Sequence, residues 1–325
     1  MRATITGGAG YIGSIAARVF LDAGHEVTVL DSLERGHRAA IDPRARFVHG
    51  RVGDWDALEA ALPGTDVVLH FAGYIDVAES QASPDLYFGK NLHEPTVMLD
   101  AMAEYGIRNL VFSSTAAVYG EPAVVPIPED SDLAPINTYG ASKLAFERIV
   151  ELAEVSSELS AVRLRYFNVA GALPDGSLGE AHRPETHIVP RLLAAAASGE
   201  AFTVFGTDYP TPDGTCVRDY IHVVDLAEAH LAAAEYLLGG GAGLACNLGS
   251  GRGYSNLELT RACAGVVGHE VEVSVGPRRP GDPATLVAAI DRAREVLGWE
   301  PTRDLAMMFA DAQRWHATHP DGYGD

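Results

Sequence analysis

The sequence predicts an α/β protein with a doubly wound parallel sheet and a smaller, loop-rich C-terminal part. Over the first 170 residues, short apolar runs alternate with amphipathic segments of helix length. A glycine-rich turn follows the first of these runs directly. Continuous apolar strands separated by helices indicate a parallel sheet that is covered on both faces, and such sheets bind ligands at the carboxyl ends of their strands.

Each predicted strand is a run of β-branched or other apolar residues, and each predicted helix has apolar residues three or four positions apart. In chain order, the strands are Thr4 to Thr6, Val27 to Leu30, Val67 to Phe71, Leu110 to Ser113 and Ala161 to Leu164. The helices between and after them are Tyr11 to Ala23, Trp55 to Leu62, Pro84 to Tyr105 and Tyr139 to Val155.

The alternation weakens after residue 170, where the segments GALPDGSLGEAHRPET, GTDYPTPDGTC and GGGAG are rich in glycine and proline. We therefore expect a nucleotide-binding domain over residues 1–170 and a smaller substrate domain over residues 171–325. Leu226 to Leu238 has a clear helical pattern. We expect the segment of about residues 216–247 that contains it to rejoin the first domain.

Composition and charge exclude several classes of protein. The chain has 325 residues, of which 47% are hydrophobic and 21% charged, as in ordinary globular proteins, and its net charge is −20. This acidity argues against nucleic acid or an anionic membrane as a partner. Because the first predicted strand begins almost at the N-terminus and no apolar run could span a bilayer, we expect a cytoplasmic protein.

The turn after the first strand reads TGGAGYIG and places glycines at positions 7, 10 and 13. Such glycines permit a tight turn, a close approach of the backbone to a pyrophosphate, and close packing of the following helix. Asp31 ends the second strand, where a carboxylate can bind the adenosine ribose and repel a 2′-phosphate. The pattern indicates a Rossmann-type site that prefers NAD to NADP, although Arg35 and Arg38 follow closely.

Three side chains form a candidate catalytic set. The fourth strand ends in Phe112-Ser-Ser-Thr115, and Tyr139 and Lys143 stand four residues apart near the start of a helix, so both project from one face. A free tyrosine has a pKa near 10, and a nearby ammonium can lower it by about 3 units. We expect Tyr139 to act as a base, with Lys143 tuning it and binding a cofactor ribose.

With these motifs in view, the chain resembles the UDP-galactose/UDP-glucose 4-epimerases of the extended short-chain dehydrogenase/reductase superfamily. The resemblance rests, in order, on GGAGYIG, FSSTAAVYGE, YGASK, LRYFNVAG, FGTDYPTPDGTCVRDYIHVVDLA and PRRPGDPA, and it extends nearly from end to end. It implies that NAD removes hydride from C4 of the hexose while Tyr139 removes the proton of the 4-hydroxyl, held by Thr115. The 4-keto sugar then turns over and the same hydride returns to its other face.

The resemblance also implies a set of binding residues. The cofactor would contact Gly7, Gly10, Tyr11, Ile12, Gly13, Asp31, Phe71, Ala72, Gly73, Asn91, Ser113, Tyr139, Lys143 and Phe167. The substrate, a UDP-hexose, would contact Thr115, Tyr139, Asn168, Ile188, Thr203, Phe205, Arg218, Arg279 and Asp282, with the two arginines on the diphosphate. A homodimer built through the helices Pro84 to Tyr105 and Tyr139 to Val155 is implied too. No metal site is expected, because His187 and His222 lack the spacing of metal ligands.

The chain departs from the family pattern in several places. Arg51 stands where an aspartate commonly reaches the adenine, and Ile75 and Asp76 stand where many relatives carry a lysine. The segment Asn91-Leu-His-Glu-Pro95 replaces the common NVxGT and keeps only Asn91, with Lys90 beside it, and Leu286 stands beside the expected hexose position. The alternatives to UDP-hexose epimerisation are another nucleotide-sugar 4-epimerase, a nucleotide-sugar reductase or dehydratase, and a non-catalytic NAD sensor. The two alanines that follow Thr115 argue against a dehydratase, which carries acidic residues there.

Overall fold

The computed structural model describes residues 1–279 and 282–324 and contains a seven-stranded parallel sheet. Further strands form smaller sheets. In chain order, the strands of all these sheets are β1 (Arg2–Thr6), β2 (Glu26–Asp31), β3 (Arg46–His49), β4 (Val67–His70), β5 (Asn109–Thr115), β6 (Ser160–Tyr166), β7 (Asn168–Ala170), β8 (Phe202–Phe205), β9 (Val217–His222), β10 (Leu244–Leu248), β11 (Gly253–Ser255), β12 (Val273–Gly276) and β13 (Thr285–Leu286). The large sheet has the order β10-β6-β5-β4-β1-β2-β3. The α/β doubly wound fold is confirmed.

The five predicted strands all occur, and two further strands complete the sheet at its edges. Strand β3 pairs with β2, and β10 pairs with β6. The segment RFVH of β3 was not predicted, because it is only four residues long and partly exposed, so its apolar pattern is weak. The central strands β4, β5 and β6 are almost fully buried, as the apolar runs indicated.

Helices cover both faces of this sheet and build most of the second region. They are α1 (Tyr11–Asp22), α2 (Trp55–Ala61), α3 (Val77–Ala82), α4 (Pro84–Phe88), α5 (Glu94–Glu104), α6 (Thr138–Ser156), α7 (Ile188–Ser198), α8 (Val223–Leu238), α9 (Asn256–Val267), α10 (Asp291–Leu297) and α11 (Leu305–Thr318). The predicted helix from 84 to 105 is nearly continuous, but a π-helical turn at Gly89–His93 separates α4 from α5. Such turns are often found at functional sites.

Two apolar layers hold the large sheet between its helices. Side chains of β1, β2 and β4 pack with α1 and α8 on one face. Side chains of α2, α5 and α6 cover the other face. Helix α8 and strand β10 thus attach the later part of the chain to the large sheet, although the domain limits stay a prediction.

The second region is built from smaller sheets that stand beyond the carboxyl ends of the large one. Strand β9 is the centre of one sheet and pairs with β7, β11 and β13, while β8 pairs with β12. Helices α7, α9 and α11 share an apolar core with these strands. Among residues 1–279 and 282–324, no helix is long and apolar enough to cross a membrane.

Candidate active site

The glycine turn after β1 packs so closely that two of its three predicted glycines are fixed by the fold itself. A Cβ atom on Gly7 would lie 2.5 Å from the backbone nitrogen of Ala72, and one on Gly13 would lie 2.2 Å from the Gly7 carbonyl oxygen. The φ angle of Gly7 is also +73°, which favours glycine. These residues bring β1, β4 and α1 together.

Gly10 differs from these two because a side chain there would be crowded less severely. A Cβ atom there would meet only the Gly7 carbonyl oxygen, at 3.3 Å. Gly10 is the N-cap of α1, no side chain caps that helix end, and no acidic residue lies in its first turn. The amides of the helix start are therefore available to an anion, and this cradle fits the pyrophosphate of a dinucleotide.

The next residues of α1 support the turn with their side chains. The hydroxyl of Tyr11 donates a 2.6 Å hydrogen bond to the carbonyl of Gly171, which joins the turn to the segment after β7. Ile12 is half-buried and packs against the apolar cores on both sides of the helix. The side chains of both residues act within the protein, so any contact of theirs with a cofactor would come from the backbone.

Asp31 lies at the carboxyl end of β2, next to the glycine turn. Its carboxylate accepts hydrogen bonds from the backbone amides of Ala9, at 2.9 Å, and Leu33, at 2.8 Å. Burial raises the pKa of Asp31, while the two amides oppose this rise. Each carboxylate oxygen keeps a second lone pair, so the group can still accept from ribose hydroxyls.

An ion-pair network surrounds Glu34, just beyond Asp31. Glu34 pairs with Arg51 and with Lys90, whose ammonium lies 2.9 Å away, and accepts a 3.1 Å hydrogen bond from the Tyr74 hydroxyl. Burial opposes the effect, but these partners lower the pKa of Glu34 to about 2. Lys90 also pairs with Glu94 at 3.0 Å. Arg51 and Lys90, both singled out in the sequence, thus meet on one carboxylate just beyond the carboxyl end of β2.

The candidate catalytic side chains meet where β5 ends and α6 begins. Asn137 caps α6 by accepting a 2.8 Å hydrogen bond from the Gly140 amide, which fixes the first turn that carries Tyr139. Tyr139 is half-buried. Burial raises its pKa to about 12, and a hydrogen bond with Thr115 opposes the rise. The lowering of this pKa by Lys143 that the sequence predicted is therefore not found in the folded chain. The pair Thr115 and Tyr139, which the sequence expected at one site, lies close together.

Lys143 lies one turn further along α6 and is 2% exposed. Its ammonium donates a 3.1 Å hydrogen bond to the Ser113 carbonyl and lies 5.1 Å from the centre of the Phe112 ring. Burial lowers the pKa of Lys143 to about 8. The side-chain hydroxyl of Ser113 bonds to the Tyr166 hydroxyl; burial raises the pKa of Tyr166, and a charge on Tyr139 raises it further. The lysine therefore ties α6 to the end of β5.

Asn91 lies in the π-helical turn and holds the segment after β4. Its side-chain oxygen accepts from the Tyr74 amide at 2.8 Å, and its amide nitrogen donates to the Tyr74 carbonyl and to the Ser142 hydroxyl. A Cβ atom on Gly73 would lie 2.9 Å from the Asn91 oxygen and 3.3 Å from the Lys143 ammonium. Asn91 thus positions Gly73 beside Lys143.

The other expected cofactor residues lie at neighbouring strand ends. The amides of Phe71 and Ala72 both donate to the Thr6 carbonyl, so the end of β4 follows β1 closely. The Phe71 ring packs 4.5 Å from the His230 ring. Phe167 is buried in a small apolar cluster with Ala116, and its amide donates to Leu248. Its side chain therefore serves the core.

A buried ion pair supports the catalytic strand from behind. The Nη2 and Nε atoms of Arg165 bond to the Glu147 carboxylate at 2.6 and 3.0 Å, and Ser114 also donates to Glu147. Glu147 and Arg165 are 0% and 3% exposed at their side chains. Arg165 further donates to the Tyr119 hydroxyl at 3.0 Å. The network links β5, β6 and α6 one residue before Thr115.

A cavity of about 210 Å³ opens beyond these strand ends, in the second region. It is lined by Asn168, Val169, Thr186, His187, Ile188, Val189, Phe205, Cys216, Arg218, Tyr220, Asn256, Arg279 and Asp282. Six of the nine residues expected to bind the substrate are among them. Arg279 lies over the Phe205 ring at 4.1 Å, and Arg218 pairs with Asp282. Two guanidinium groups therefore face one cavity of an acidic protein.

Asn168 and Thr203, two of the residues expected to bind the substrate, differ in their position relative to this cavity. The Asn168 amide donates to the Asp219 carbonyl at 3.2 Å, which orients it at the rim. Thr203 does not line the cavity: it lies two residues before Phe205 on β8, about 7 Å further along the strand, and shares a 2.9 Å hydrogen bond with Ser274.

The sequence interpretation missed several lining residues. Tyr220 follows Arg218 by two positions on β9, so it lies on the same face, and strand alternation could have identified it. Asn256 begins α9 and reaches the cavity only because β11 pairs with β9. No local signal in the sequence indicates that pairing.

Comparisons with known proteins agree with this geometry. The sequence profile of the "NAD dependent epimerase/dehydratase family" matches residues 3–249. The chain is 50% identical over 329 residues to the UDP-glucose 4-epimerase of Lacticaseibacillus casei, covering 100% of this chain and 99% of that protein. A crystal structure of a UDP-glucose 4-epimerase superposes with a TM-score of 0.96 at 42% identity, covering 99% of each chain.

A second solved structure adds ligands to the comparison. The UDP-glucose 4-epimerase of Bifidobacterium longum, crystallised in complex with NAD+ and UDP, superposes with a TM-score of 0.94 at 36% identity and covers 99% of this chain and 100% of its own. On this similarity over its whole length, the chain belongs to the NAD dependent epimerase/dehydratase family and is a relative of its UDP-glucose 4-epimerases.

Proposed function

We propose that this chain is an NAD-dependent enzyme that interconverts UDP-glucose and UDP-galactose by epimerisation at C4. The observation that carries the proposal is the proximity of the Thr115 and Tyr139 side chains, next to Lys143, at the sheet edge that faces the cavity with Arg218 and Arg279. One end of this arrangement can move a proton, and the other can bind a diphosphate.

The proposed roles follow from the contacts of each side chain. NAD, when bound, supplies the acceptor and donor of the C4 hydride. Tyr139 holds the proton of the 4-hydroxyl and returns it, while Thr115 orients the hydroxyl of Tyr139 and the sugar oxygen. Lys143 binds the ribose next to the nicotinamide and contributes positive charge. Gly7, Gly10 and Gly13 shape the turn that receives the pyrophosphate.

The binding of the uridine diphosphate is assigned to the cavity of the second region. We propose that Arg218 and Arg279 neutralise the diphosphate and that Asn168 contacts it at the rim. Ile188 and Phe205 would frame the uracil. Asp282 would contact the uridine ribose, and Tyr220 and Asn256 would contact the ligand from the cavity wall. Arg218 must then exchange or share its pairing with Asp282 when a diphosphate enters.

Incubation of the purified protein with UDP-galactose, followed by NMR of the anomeric proton, tests the reaction. We expect the signal of UDP-glucose to grow without any accumulation of NADH. Tyr139→Phe should retain NAD and lose at least about 1,000-fold in turnover, because the proton acceptor is gone. Tyr236→Phe, on the outer part of α8, is the matched control and should behave as the parent.

The same experiment separates the alternatives. Accumulation of NADH would indicate a reductase or dehydrogenase, and loss of the 6-hydroxyl of the sugar would indicate a dehydratase. If no UDP-sugar were converted although NAD stayed bound, the epimerase proposal would be wrong. Conversion of only UDP-N-acetylhexosamines or UDP-pentoses would change the sugar but keep the reaction.

We also propose a homodimer and a cytoplasmic location, as expected from the sequence. The dimer would form through α4, α5 and α6, and exposed apolar side chains on these helices support it: Phe88 is 39% exposed, Leu152 69% and Val155 88%. Sedimentation equilibrium should give twice the chain mass. Leu152→Glu combined with Val155→Glu should shift the mass towards one chain, and an unchanged dimer would place the interface elsewhere.

A further inference from the structure

A cluster of carboxylates and imidazoles lies on the segment between β7 and α7. The sequence EAHRPETH contains two Glu-x-His pairs, Glu180 with His182 and Glu185 with His187. One donor atom from each of these four residues lies within 4.8 Å of all the others. We propose that this cluster, named here the His-Glu cluster, binds one divalent transition-metal ion, for which Zn²⁺ is the best fit.

The distances suit a four-coordinate ion. The Nδ1 atom of His182 lies 3.0 Å from Glu180 Oε1 and 3.8 Å from Glu185 Oε2. The Nδ1 atom of His187 contacts Glu180 Oε1 and lies 3.6 Å from Glu185 Oε1. Ligands about 2.0–2.2 Å from a tetrahedral Zn²⁺ stand roughly 3.3–3.6 Å apart, so movements of less than about 1 Å would complete the site.

The chemistry of the donors points to the same class of ion. Two imidazole nitrogens and two carboxylate oxygens favour Zn²⁺ over Mg²⁺ or Ca²⁺, which prefer oxygen ligands alone. The Nδ1 atom of His182 is buried and makes no hydrogen bond of good geometry, although it points at Glu180. A metal ion would give that lone pair a partner. Two carboxylates with two neutral imidazoles carry a charge of −2, which the ion balances.

The backbone of this segment is held from several sides, which organises the site in advance. The Glu180 carbonyl accepts a 3.0 Å hydrogen bond from the Trp315 indole, and the neighbouring Ala181 carbonyl lies 2.9 Å from His37 Nε2. The Tyr11 ring packs edge-on against the His182 ring at 6.4 Å. Glu180 is 4% exposed at its side chain, whereas His187 is 45% exposed, so one side of the cluster is fixed and the other admits an ion.

Protons compete with a metal ion for these donor atoms. Burial lowers the pKa of His187, but Glu180 and Glu185 raise it to about 9, so an imidazolium can also satisfy the carboxylates. The proposal requires that Zn²⁺ displaces this proton to the solvent. A cleft lined by Glu180, His182 and Glu185 opens beside the cluster and supplies a path for entry.

The position of the cluster gives the ion a role in nucleotide binding. His187 of the cluster, together with its neighbours Thr186 and Ile188, lines the cavity assigned to the uridine diphosphate. An ion bound to the cluster would fix this wall of the cavity. This consequence rests on the proposed function, whereas the binding of the ion does not.

The test is a titration of the NAD-containing protein, freed of metal by a chelator, with Co²⁺ alone and then with Zn²⁺. We expect one equivalent of Co²⁺ to bind with the visible absorption of a tetrahedral N/O site, and one equivalent of Zn²⁺ to remove that absorption. His182→Gln and Glu185→Gln should each weaken Zn²⁺ binding by about 10- to 100-fold. His269→Gln, a histidine beside the same cleft but outside the cluster, should bind as the parent does.

Three outcomes would overturn the proposal. They are binding of less than half an equivalent, equal affinity of His182→Gln and His269→Gln, and a thiolate-to-cobalt charge-transfer band, which would assign the ion to a cysteine. Because the titration reads no turnover, it stands or fails separately from epimerisation. If the ion binds, its removal should raise the KM for UDP-galactose with little change in kcat, and an unchanged KM would refute the role in nucleotide binding.

Discussion

Lys143→Met removes a charge that the fold encloses, and we expect it to stabilise the protein while it abolishes epimerisation. The Lys143 side chain is 2% exposed, and burial lowers its pKa from 10.5 to about 8. A folded-state pKa below the unfolded value means that the charged form is less favourable in the folded protein. Methionine has a similar length and no charge, so it isolates this cost.

The magnitude follows from the size of the shift. A change of one pKa unit corresponds to about 1.4 kcal/mol, so the shift of Lys143 corresponds to about 3 kcal/mol, nearly all of which applies at pH 7. The substitution also loses the hydrogen bond to the Ser113 carbonyl, worth about 1 kcal/mol. We therefore expect Lys143→Met to raise the free energy of unfolding by about 2 kcal/mol at pH 7.

The pH dependence gives this prediction a sign that packing effects would not produce. Between pH 8 and 10.5 the unfolded state binds more protons at this position than the folded state does. The contribution of Lys143 to the stability of the parent therefore rises with pH across this window. Lys143→Met has no such contribution, so the difference in stability between the two proteins should shrink towards pH 10.

Urea-induced unfolding of NAD-free protein, followed by tryptophan fluorescence at pH 7 and pH 10, measures the effect. Lys90→Met is the matched control. Burial lowers the pKa of Lys90, but Glu34 and Glu94 outweigh this and raise it, so its stabilising charge is present at pH 7 and lost only above pH 10.5. Lys90→Met should thus lower stability at pH 7 by a few tenths to 1 kcal/mol. A Lys143→Met protein that was less stable than the parent at pH 7 would refute the reasoning.

Three further substitutions test the site and its support. Gly10→Ala should cost about 1 kcal/mol, because the added Cβ would meet only one carbonyl oxygen, at 3.3 Å, yet it should lose bound NAD as read by absorbance; Gly89→Ala, whose added Cβ would meet no atom within 4 Å, should keep it, and NAD retained by Gly10→Ala would contradict the cradle. Glu147→Gln strands the buried charge of Arg165 and should lower the free energy of unfolding by about 3–5 kcal/mol, whereas a loss below about 1 kcal/mol would exclude a structural role for the pair. Lys143→Arg should lose at least about 100-fold in turnover of UDP-galactose, and near-normal turnover would show that charge alone suffices.

The sequence predicted the large sheet because its signals are local. Apolar strands and amphipathic helices alternate within short windows, and each window carries its own pattern. The edge strand Arg46–His49 was missed because half of its residues face outward and its run is short. The π-helical turn at Gly89–His93 was missed for a different reason: it changes which backbone groups pair, and the side-chain pattern stays helical.

The candidate site could likewise be predicted only in part. Thr115, Tyr139 and Lys143 could be placed together because a strand end and a helix start meet at one edge of a parallel sheet. The pairing of Arg51 and Lys90 with Glu34 could not be predicted, because these three residues lie on the connections that follow three different strands of the sheet. The His-Glu cluster lies within eight residues of sequence, but the expectation of no metal site rested on the spacing of His187 and His222 and not on His182.

The chain has only two lysines, whereas its other 22 strongly basic residues are arginine. The structure explains each lysine separately. Lys90 occupies a partly buried polar network in which its charge is stabilised by two carboxylates. Lys143 occupies a confined space between Gly73 and the Ser113 carbonyl, where a compact ammonium fits and a planar guanidinium would have to displace the backbone that Asn91 holds. Burial lowers its pKa to about 8. An arginine, whose pKa lies above about 12, would stay fully charged near neutral pH even after a shift of the same size. The confined space and the lowered pKa both require lysine, and both arise from the same burial that makes the residue costly to the fold.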